Sequence, residues 1–186
     1  QTGLSHALEH MMFKGSRKLG PGESSRILRE LGAEENAFTS DDYTAYYQVL
    51  ASDRLAVALE MEADRLASLK LPADEFAREI EVIKEERRLR TDDRPSALAY
   101  ERFKALAFLA SGYRNPTIGW MSDLQRMQVD DLRAWYQQWY RPNNATLVIV
   151  GDVQRDQVEK LVTRFFARIP GKPLPAAKPP LELATP

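Results

Sequence analysis

Both histidines of the chain stand in a single motif, His6-Ala7-Leu8-Glu9-His10. Residues four apart lie on the same face of a helix, so His6 and His10 can direct their imidazoles at one metal ion. Glu9 beside them could take a proton from a metal-bound water, which is the general-base arrangement of a zinc hydrolase in the inverted order His-x-x-Glu-His. The alternative is a solvated polar face, because the apolar residues of this segment fall on the opposite side of the helix.

A zinc site needs at least one more protein ligand, and a long helix predicted over residues 74 to about 90 offers it. Glu79 and Glu86 fall inside the arc of this helix that is otherwise apolar. A carboxylate on a buried face is costly unless a metal ion or another cation compensates its charge. The apolar arc consists of Phe76, Ile80, Val82, Ile83 and Leu89.

We therefore predict that Glu86 is the third ligand, since its neighbour Glu85 points to the solvated side of the same helix. Glu79 lies two turns earlier and could hydrogen-bond a ligating histidine or steer the water, as a carboxylate behind a metal ligand usually does. Two alternatives stay open. Glu75 fits the same arc and could replace either residue, and the two glutamates could instead form buried salt bridges with arginines.

The composition limits the ligands of any metal site to histidine and carboxylates, because the chain contains no cysteine. Disulfide scaffolds, iron–sulfur clusters and thiol catalysis are excluded for the same reason. Lys and Arg together number 26 against 27 for Asp and Glu, so charge does not favour nucleic acid or an anionic membrane as a partner. The longest apolar runs, residues 105–110 and 147–150, fall far short of the roughly 18 residues of a spanning helix, which predicts no membrane insertion.

The pattern of the remaining chain predicts an α+β fold, with a mixed, mainly antiparallel sheet packed against several helices. Residues 35–39 and 43–50 predict an antiparallel hairpin, and the apolar run 145–150 predicts a buried strand. The histidine motif lies on the first helix, over residues 4–14, which Gly15 ends. Further helices are expected over residues 23–31, 52–69, 95–108, 122–127, 129–140 and 154–166.

Residues 1–169 are predicted to form one domain, and residues 170–186 a proline-rich linker towards a following domain. A frayed tail is the alternative for this last stretch. Six of the eleven prolines fall there, namely Pro170, Pro173, Pro175, Pro179, Pro180 and Pro186.

The segment GLSHALEHMMFKGS at residues 3–16, followed by EIEVIKEE at residues 79–86, closely resembles the pitrilysin-type (M16) inverzincin zinc peptidases. That group includes insulin-degrading enzyme and mitochondrial processing peptidase. Its third zinc ligand lies some seventy-six residues beyond the second histidine, which corresponds to Glu86, and its assisting glutamate corresponds to Glu79. The resemblance continues through residues 36–40, 42–46, 119–120, 140–144 and 148–152, and so spans nearly the whole chain.

The resemblance implies a zinc endopeptidase that holds one Zn2+ per chain on His6, His10 and Glu86, with Glu9 as the general base and Glu79 assisting. It also implies that an extended peptide substrate adds to a sheet edge through main-chain hydrogen bonds. A protected edge strand is the alternative for this segment. The matching edge residues here are Asn36, Ala37, Phe38 and Thr39.

A homologous second M16 domain, in the same or another chain, is implied as well, because in this family it closes over the site and grips the substrate. A dimer is one arrangement that supplies it. Since family chains carry strands before the zinc helix, we expect an N-terminally incomplete domain that binds zinc but cleaves peptides poorly in isolation. The rival hypothesis is a non-catalytic partner subunit that completes the chamber of an active homologue. The sequence HMMFKGS is typical of bacterial members, for which we favour the periplasm over the cytoplasm.

Overall fold

The computed structural model of the protein describes residues 1–176, which contain helices and a two-stranded antiparallel sheet. Most of the predicted linker, residues 177–186, lies outside the described residues. The predicted α+β class is confirmed. The helices are α1 (Leu4–Met11), α2 (Glu23–Glu30), α3 (Leu55–Ser68), α4 (Ala73–Arg87), α5 (Pro95–Ala107), α6 (Met121–Leu124), α7 (Val129–Trp139) and α8 (Arg155–Phe166), and the strands are β1 (Glu34–Thr39) and β2 (Thr44–Val49).

The predicted hairpin is present as β1 and β2, which pair in a register that runs from Glu34 opposite Val49 to Thr39 opposite Thr44. Side chains alternate between the two faces of a strand. Every second residue of β1, including Ala37 and Thr39, is therefore half-buried, and the residues between them are exposed. The half-buried face lies against α1 and α2, so the hairpin adjoins the helix that carries the histidines.

The prediction of a buried strand over residues 145–150 is wrong. This segment has no strand partner within residues 1–176, and the side chains of Leu147, Val148 and Val150 are 47%, 74% and 91% exposed. An apolar run becomes a buried strand only where a neighbouring strand accepts its backbone hydrogen bonds, and local sequence does not supply that neighbour. No helix in the described part of the chain is long and apolar enough to cross a bilayer.

The hydrophobic core forms where α1 packs between α4 and α7. Helix α1 contributes Ala7, Leu8 and Met11, which are fully buried and lie on the face opposite the histidines. From α4, α6, α7 and the connecting segments the core receives Leu71, Phe76, Ile80, Ile83, Leu124, Met127, Leu132 and Tyr136. The apolar arc of α4 is narrower than predicted, because Val82 and Leu89 are more than half exposed.

The start of α1 is held by a close approach between two glycines. Gly3 caps the helix with a φ of +79°, and a β-carbon built on it would lie 2.6 Å from the carbonyl oxygen of Ile118. Gly119 faces it with a φ of +95°. Thr2 adds side-chain and backbone hydrogen bonds of 2.7 and 2.8 Å to the carboxylate of Asp123. These contacts fix where the histidine helix begins, since a left-handed backbone without a β-carbon is needed there.

Candidate metal centre

Three side chains from two helices converge on one point. The Nε2 atoms of His6 and His10 lie 3.6 and 3.4 Å from Oε2 of Glu86. One ligand atom from each residue can be chosen so that all three lie within 4.8 Å of one another. The geometry follows from the helical spacing, because residues four apart on α1 present both imidazoles to the same face of α4.

These three residues fit a metal ion in chemistry as well as in position. Oε2 of Glu86 and Nδ1 of His6 are buried and have no hydrogen-bond partner among residues 1–176. A buried polar atom without a partner is costly, and a cation placed between the imidazoles and the carboxylate would remove that cost for Glu86. Two imidazoles and one carboxylate are also the ligand set of a catalytic zinc site that keeps its fourth position open.

The protonation state of His6 suits metal binding. Burial, with smaller contributions from the charges of His10 and Arg90, lowers the pKa of His6 from 6.5 to about 4. The imidazole is therefore neutral near pH 7, and a neutral imidazole is the form that binds a metal ion. The alternative of a solvated polar face fails for this residue, because His6 is only 9% exposed.

Glu79 contacts His10 on the side of the imidazole that faces away from Glu86. Its Oε1 accepts a hydrogen bond from Nδ1 of His10 at 2.9 Å, and its Oε2 lies 2.6 Å from Nζ of Lys14. Burial alone would raise the pKa of Glu79, but the hydrogen bonds from Lys14 and His10 outweigh it, so the pKa lies below its usual value. The carboxylate thus fixes the ring orientation of His10 and leaves Nε2 facing Oε2 of Glu86, 3.4 Å away.

Two residues around the site were not identified from the sequence. Lys14, four residues after His10, is the cation that pairs with Glu79, where the alternative interpretation expected an arginine. Arg90, four residues after Glu86, binds Oε1 of that carboxylate at 2.9 Å, which is the arginine pair that the alternative interpretation expected for Glu86. Spacing of four residues is the signal that could have indicated the pair of Glu86 and Arg90, whereas no local spacing indicates the pair of Lys14 and Glu79. Each cation holds one oxygen of a carboxylate whose other oxygen faces a histidine.

The alternatives among the glutamates of α4 are resolved by their partners. Glu85 is exposed and pairs with Arg88 at 2.9 Å. Glu75 pairs with Arg78 one turn further along the same helix and makes no hydrogen bond to either histidine. The structure therefore brings Glu86 and Glu79 to the histidines, and it does not bring Glu75 there.

Glu9 lies on the same side of α1, next to the end of β1. Oγ1 of Thr39 donates a hydrogen bond to Oε2 of Glu9. The other carboxylate oxygen of Glu9 has no hydrogen-bond partner in residues 1–176. Strand β1, which contains Asn36, Ala37, Phe38 and Thr39, is paired along one edge only in the described part of the chain.

The chain is similar to known proteins along most of its length. The insulinase profile of peptidase family M16 matches residues 1–120, and the profile of the M16 inactive domain matches residues 126–186. The zinc protease PqqE of Helicobacter pylori is 37% identical over 166 residues, which cover 89% of this chain and 37% of that protein.

Solved structures show the same fold. The crystal structure of a protease from Helicobacter pylori superposes with a TM-score of 0.92 and 35% identity, over 97% of this chain and 43% of that chain. The periplasmic protease PqqL from Escherichia coli superposes with a TM-score of 0.81 and 25% identity, over 96% of this chain and 21% of that chain. The chain spans about two fifths of the length of the two Helicobacter proteins. With the insulinase profile covering residues 1–120, the resemblance seen in the sequence is confirmed, and the chain belongs to peptidase family M16.

Proposed function

We propose that this chain carries the zinc site of an endopeptidase that hydrolyses peptide bonds in peptides or extended polypeptides. One Zn2+ per chain would be held by His6, His10 and Glu86. The observation that carries this proposal is the convergence of their three ligand atoms around Oε2 of Glu86, a buried oxygen with no hydrogen-bond partner in residues 1–176. Relatives named as zinc proteases support it.

The side chains of the site divide the work of hydrolysis between them. When bound, zinc supplies a Lewis acid that polarises the scissile carbonyl and lowers the pKa of water. Glu9 accepts the proton of the attacking water and then delivers it to the departing amine. Glu79 keeps Nε2 of His10 directed at the ligand position through its 2.9 Å hydrogen bond to Nδ1.

The support for substrate binding by β1 is the edge of this strand that has no strand partner in residues 1–176. An extended peptide would add to Asn36, Ala37, Phe38 and Thr39 as a further strand, with main-chain hydrogen bonds that hold it regardless of its sequence. The end of β1 lies at Glu9, so a peptide paired with this edge passes the general base. The strand would thus set the direction of the substrate chain, and the position of the metal site would determine which peptide bond is hydrolysed.

A second M16 domain, in the same or another chain, would complete the enzyme. The support is the length comparison, because this chain matches about two fifths of each Helicobacter relative. We expect the chain to bind zinc by itself and to cleave peptides poorly until that domain is added. The likeness to PqqL, described as periplasmic, supports the bacterial periplasm over the cytoplasm as its location.

Metal content tests the ligand set. Mass spectrometry of the purified protein should find about one zinc per chain, as expected for a site with a single set of three ligands. Glu86→Gln should lose the metal, because an amide is a poor zinc ligand. Glu85→Gln is the matched control, one residue away and exposed, and should keep it. Equal zinc content in all three proteins would contradict the assignment of Glu86.

Turnover tests the role of Glu9. With the second M16 domain present, Glu9→Gln should lower kcat by about 10²- to 10⁴-fold while zinc content stays unchanged, since only the general base is removed. Glu159→Gln on exposed α8 is the control and should match the unmodified protein. Undiminished turnover in Glu9→Gln would overturn the mechanism. An inactive but zinc-loaded pair would favour the non-catalytic partner subunit.

A further inference from the structure

The general base is attached to the end of the hairpin by one hydrogen bond. Oγ1 of Thr39 donates to Oε2 of Glu9, across 30 residues of sequence. It is the only hydrogen bond recorded to the Glu9 carboxylate in residues 1–176. A glutamate side chain has three rotatable dihedrals, so a single donor decides which orientation dominates.

The Thr39 hydroxyl is itself held in place by its cross-strand neighbour. Thr39 and Thr44 are opposite each other in the hairpin register, and their Oγ1 atoms lie 3.2 Å apart. Because a hydroxyl has only one proton and Thr39 uses its proton on Glu9, Thr44 must be the donor in this second bond. The proton of Thr39 is thereby directed at the carboxylate.

The hairpin that presents these threonines is fixed to the helical core. The hydroxyl groups of Tyr46 on β2 and Tyr140 after α7 lie 2.7 Å apart. The guanidinium of Arg65 from α3 lies 4.8 Å from the centre of the Tyr46 ring. The hairpin that presents Thr39 is therefore anchored by contacts with α3 and with the segment after α7, neither of which carries Glu9. Thr39 can thus restrain the Glu9 side chain from a separate part of the fold.

We propose that the Thr39 side chain is a positioning residue that holds Glu9 in its proton-accepting orientation. The hydroxyl of Thr39 binds Oε2 of Glu9, so that Oε1 of Glu9 stays available to accept a proton from the attacking water. The proposal rests on the function proposed above, since it presumes that Glu9 moves a proton. The main chain of Thr39 stays available to pair with a substrate strand, whereas its side chain faces the enzyme and not the substrate.

Three substitutions separate this role from substrate contact. Thr39→Val keeps the shape and removes the donor, Thr39→Ser keeps the donor, and Thr163→Val is the matched control on exposed α8. In the zinc-loaded protein with the second M16 domain, Thr39→Val should lower kcat by about 10²-fold, the usual cost of a displaced catalytic group. KM and zinc content should stay unchanged. Thr39→Ser should recover most of kcat, and Thr163→Val should behave as the unmodified protein does.

Crystal structures of zinc-loaded Thr39→Val and unmodified protein add a readout that needs no turnover. The Glu9 carboxylate should rotate away from its original position in the variant and return in Thr39→Ser. A raised KM with normal kcat would show a substrate contact and overturn the proposal, as would an unmoved Glu9. If the unmodified protein is inactive, the function proposed above fails, and the position of Glu9 still decides the role of Thr39. Thr39→Ala serves the same comparison if Thr39→Val does not fold.

Discussion

Helix α1 and helix α8 are both amphipathic, yet they are buried to very different extents. Of the eight residues of α1, Ala7, Leu8 and Met11 are completely buried and His6 nearly so. None of the twelve residues of α8 is buried, and this helix packs chiefly against α3. Amphipathic pattern alone therefore does not say how firmly a helix is held; the number of partners around it does.

The same contrast holds for the segments around these helices. We call α1, α4 and β1 the site region, and residues 145–166 the C-terminal region. In the site region, one face of each helix is locked into the core, so the polar face can hold carboxylates and imidazoles at fixed distances. In the C-terminal region, the apolar side chain of Val150 is 91% exposed. Chemistry that depends on fixed distances belongs on elements whose side chains are held by packing.

Zinc should produce the largest difference between the two regions. At a free zinc concentration about 1,000 times Kd, binding should raise the free energy of unfolding by about 4 kcal/mol, because only the folded chain presents three ligands together. Hydrogen exchange should slow in α1 and α4 and stay unchanged in α8. Glu86→Gln is the control and should show neither effect. Equal protection of α8 would show that the two regions form one cooperative unit.

Leu8→Ala should give the next largest effect. Leu8 is fully buried between α1 and its neighbours, so its truncation should cost about 3 to 4 kcal/mol through lost burial and the cavity left behind. Leu106→Ala on α5, where the leucine is 71% exposed, is the matched control and should change stability little. Urea unfolding measures both. Similar losses of unfolding free energy in the two variants would contradict the contrast between a helix packed into the core and a helix exposed to solvent.

Acid should lower the free energy of unfolding of the metal-free protein through His6 in the site region. Since burial, followed by the charge of His10, lowers the pKa of His6 from 6.5 to about 4, the unfolded chain binds more protons than the folded chain between these values. The free energy of unfolding should therefore rise with pH across this window, by roughly 3 kcal/mol in total. Urea unfolding at several pH values tests this. His6→Gln should flatten the profile, and a flat profile in the unmodified protein would contradict the burial argument.

Substitution in the C-terminal region should have the smallest effect. Val150→Ser replaces an exposed apolar side chain, so stability should change by less than about 0.5 kcal/mol and zinc content should stay the same. Thermal unfolding and metal analysis measure the two quantities. A loss of more than 2 kcal/mol, about the value expected for a buried aliphatic side chain, would show that Val150 is covered in solution.

Much of the fold and the site could be predicted from local patterns. The spacing of His6 and His10, the choice of Glu86 over Glu85 and the hairpin of β1 and β2 all follow from periods of 3.6 and 2 residues. The backbone geometry of helices and strands imposes these periods on the side chains. The family resemblance was also contained in these short motifs. Local spacing thus determined which residue types share a face and what chemistry that face could perform.

Tertiary structure decided which faces meet. The choice of Glu79 over Glu75 depends on a contact to His10 across 69 residues, and the link from Thr39 to Glu9 crosses 30. The exposure of residues 145–150 likewise depends on a neighbouring strand and not on the apolar run itself. Such contacts join elements whose separation in sequence carries no periodic signal. The sequence by itself therefore determined which residues are candidate ligands, and only packing determined what holds them in position.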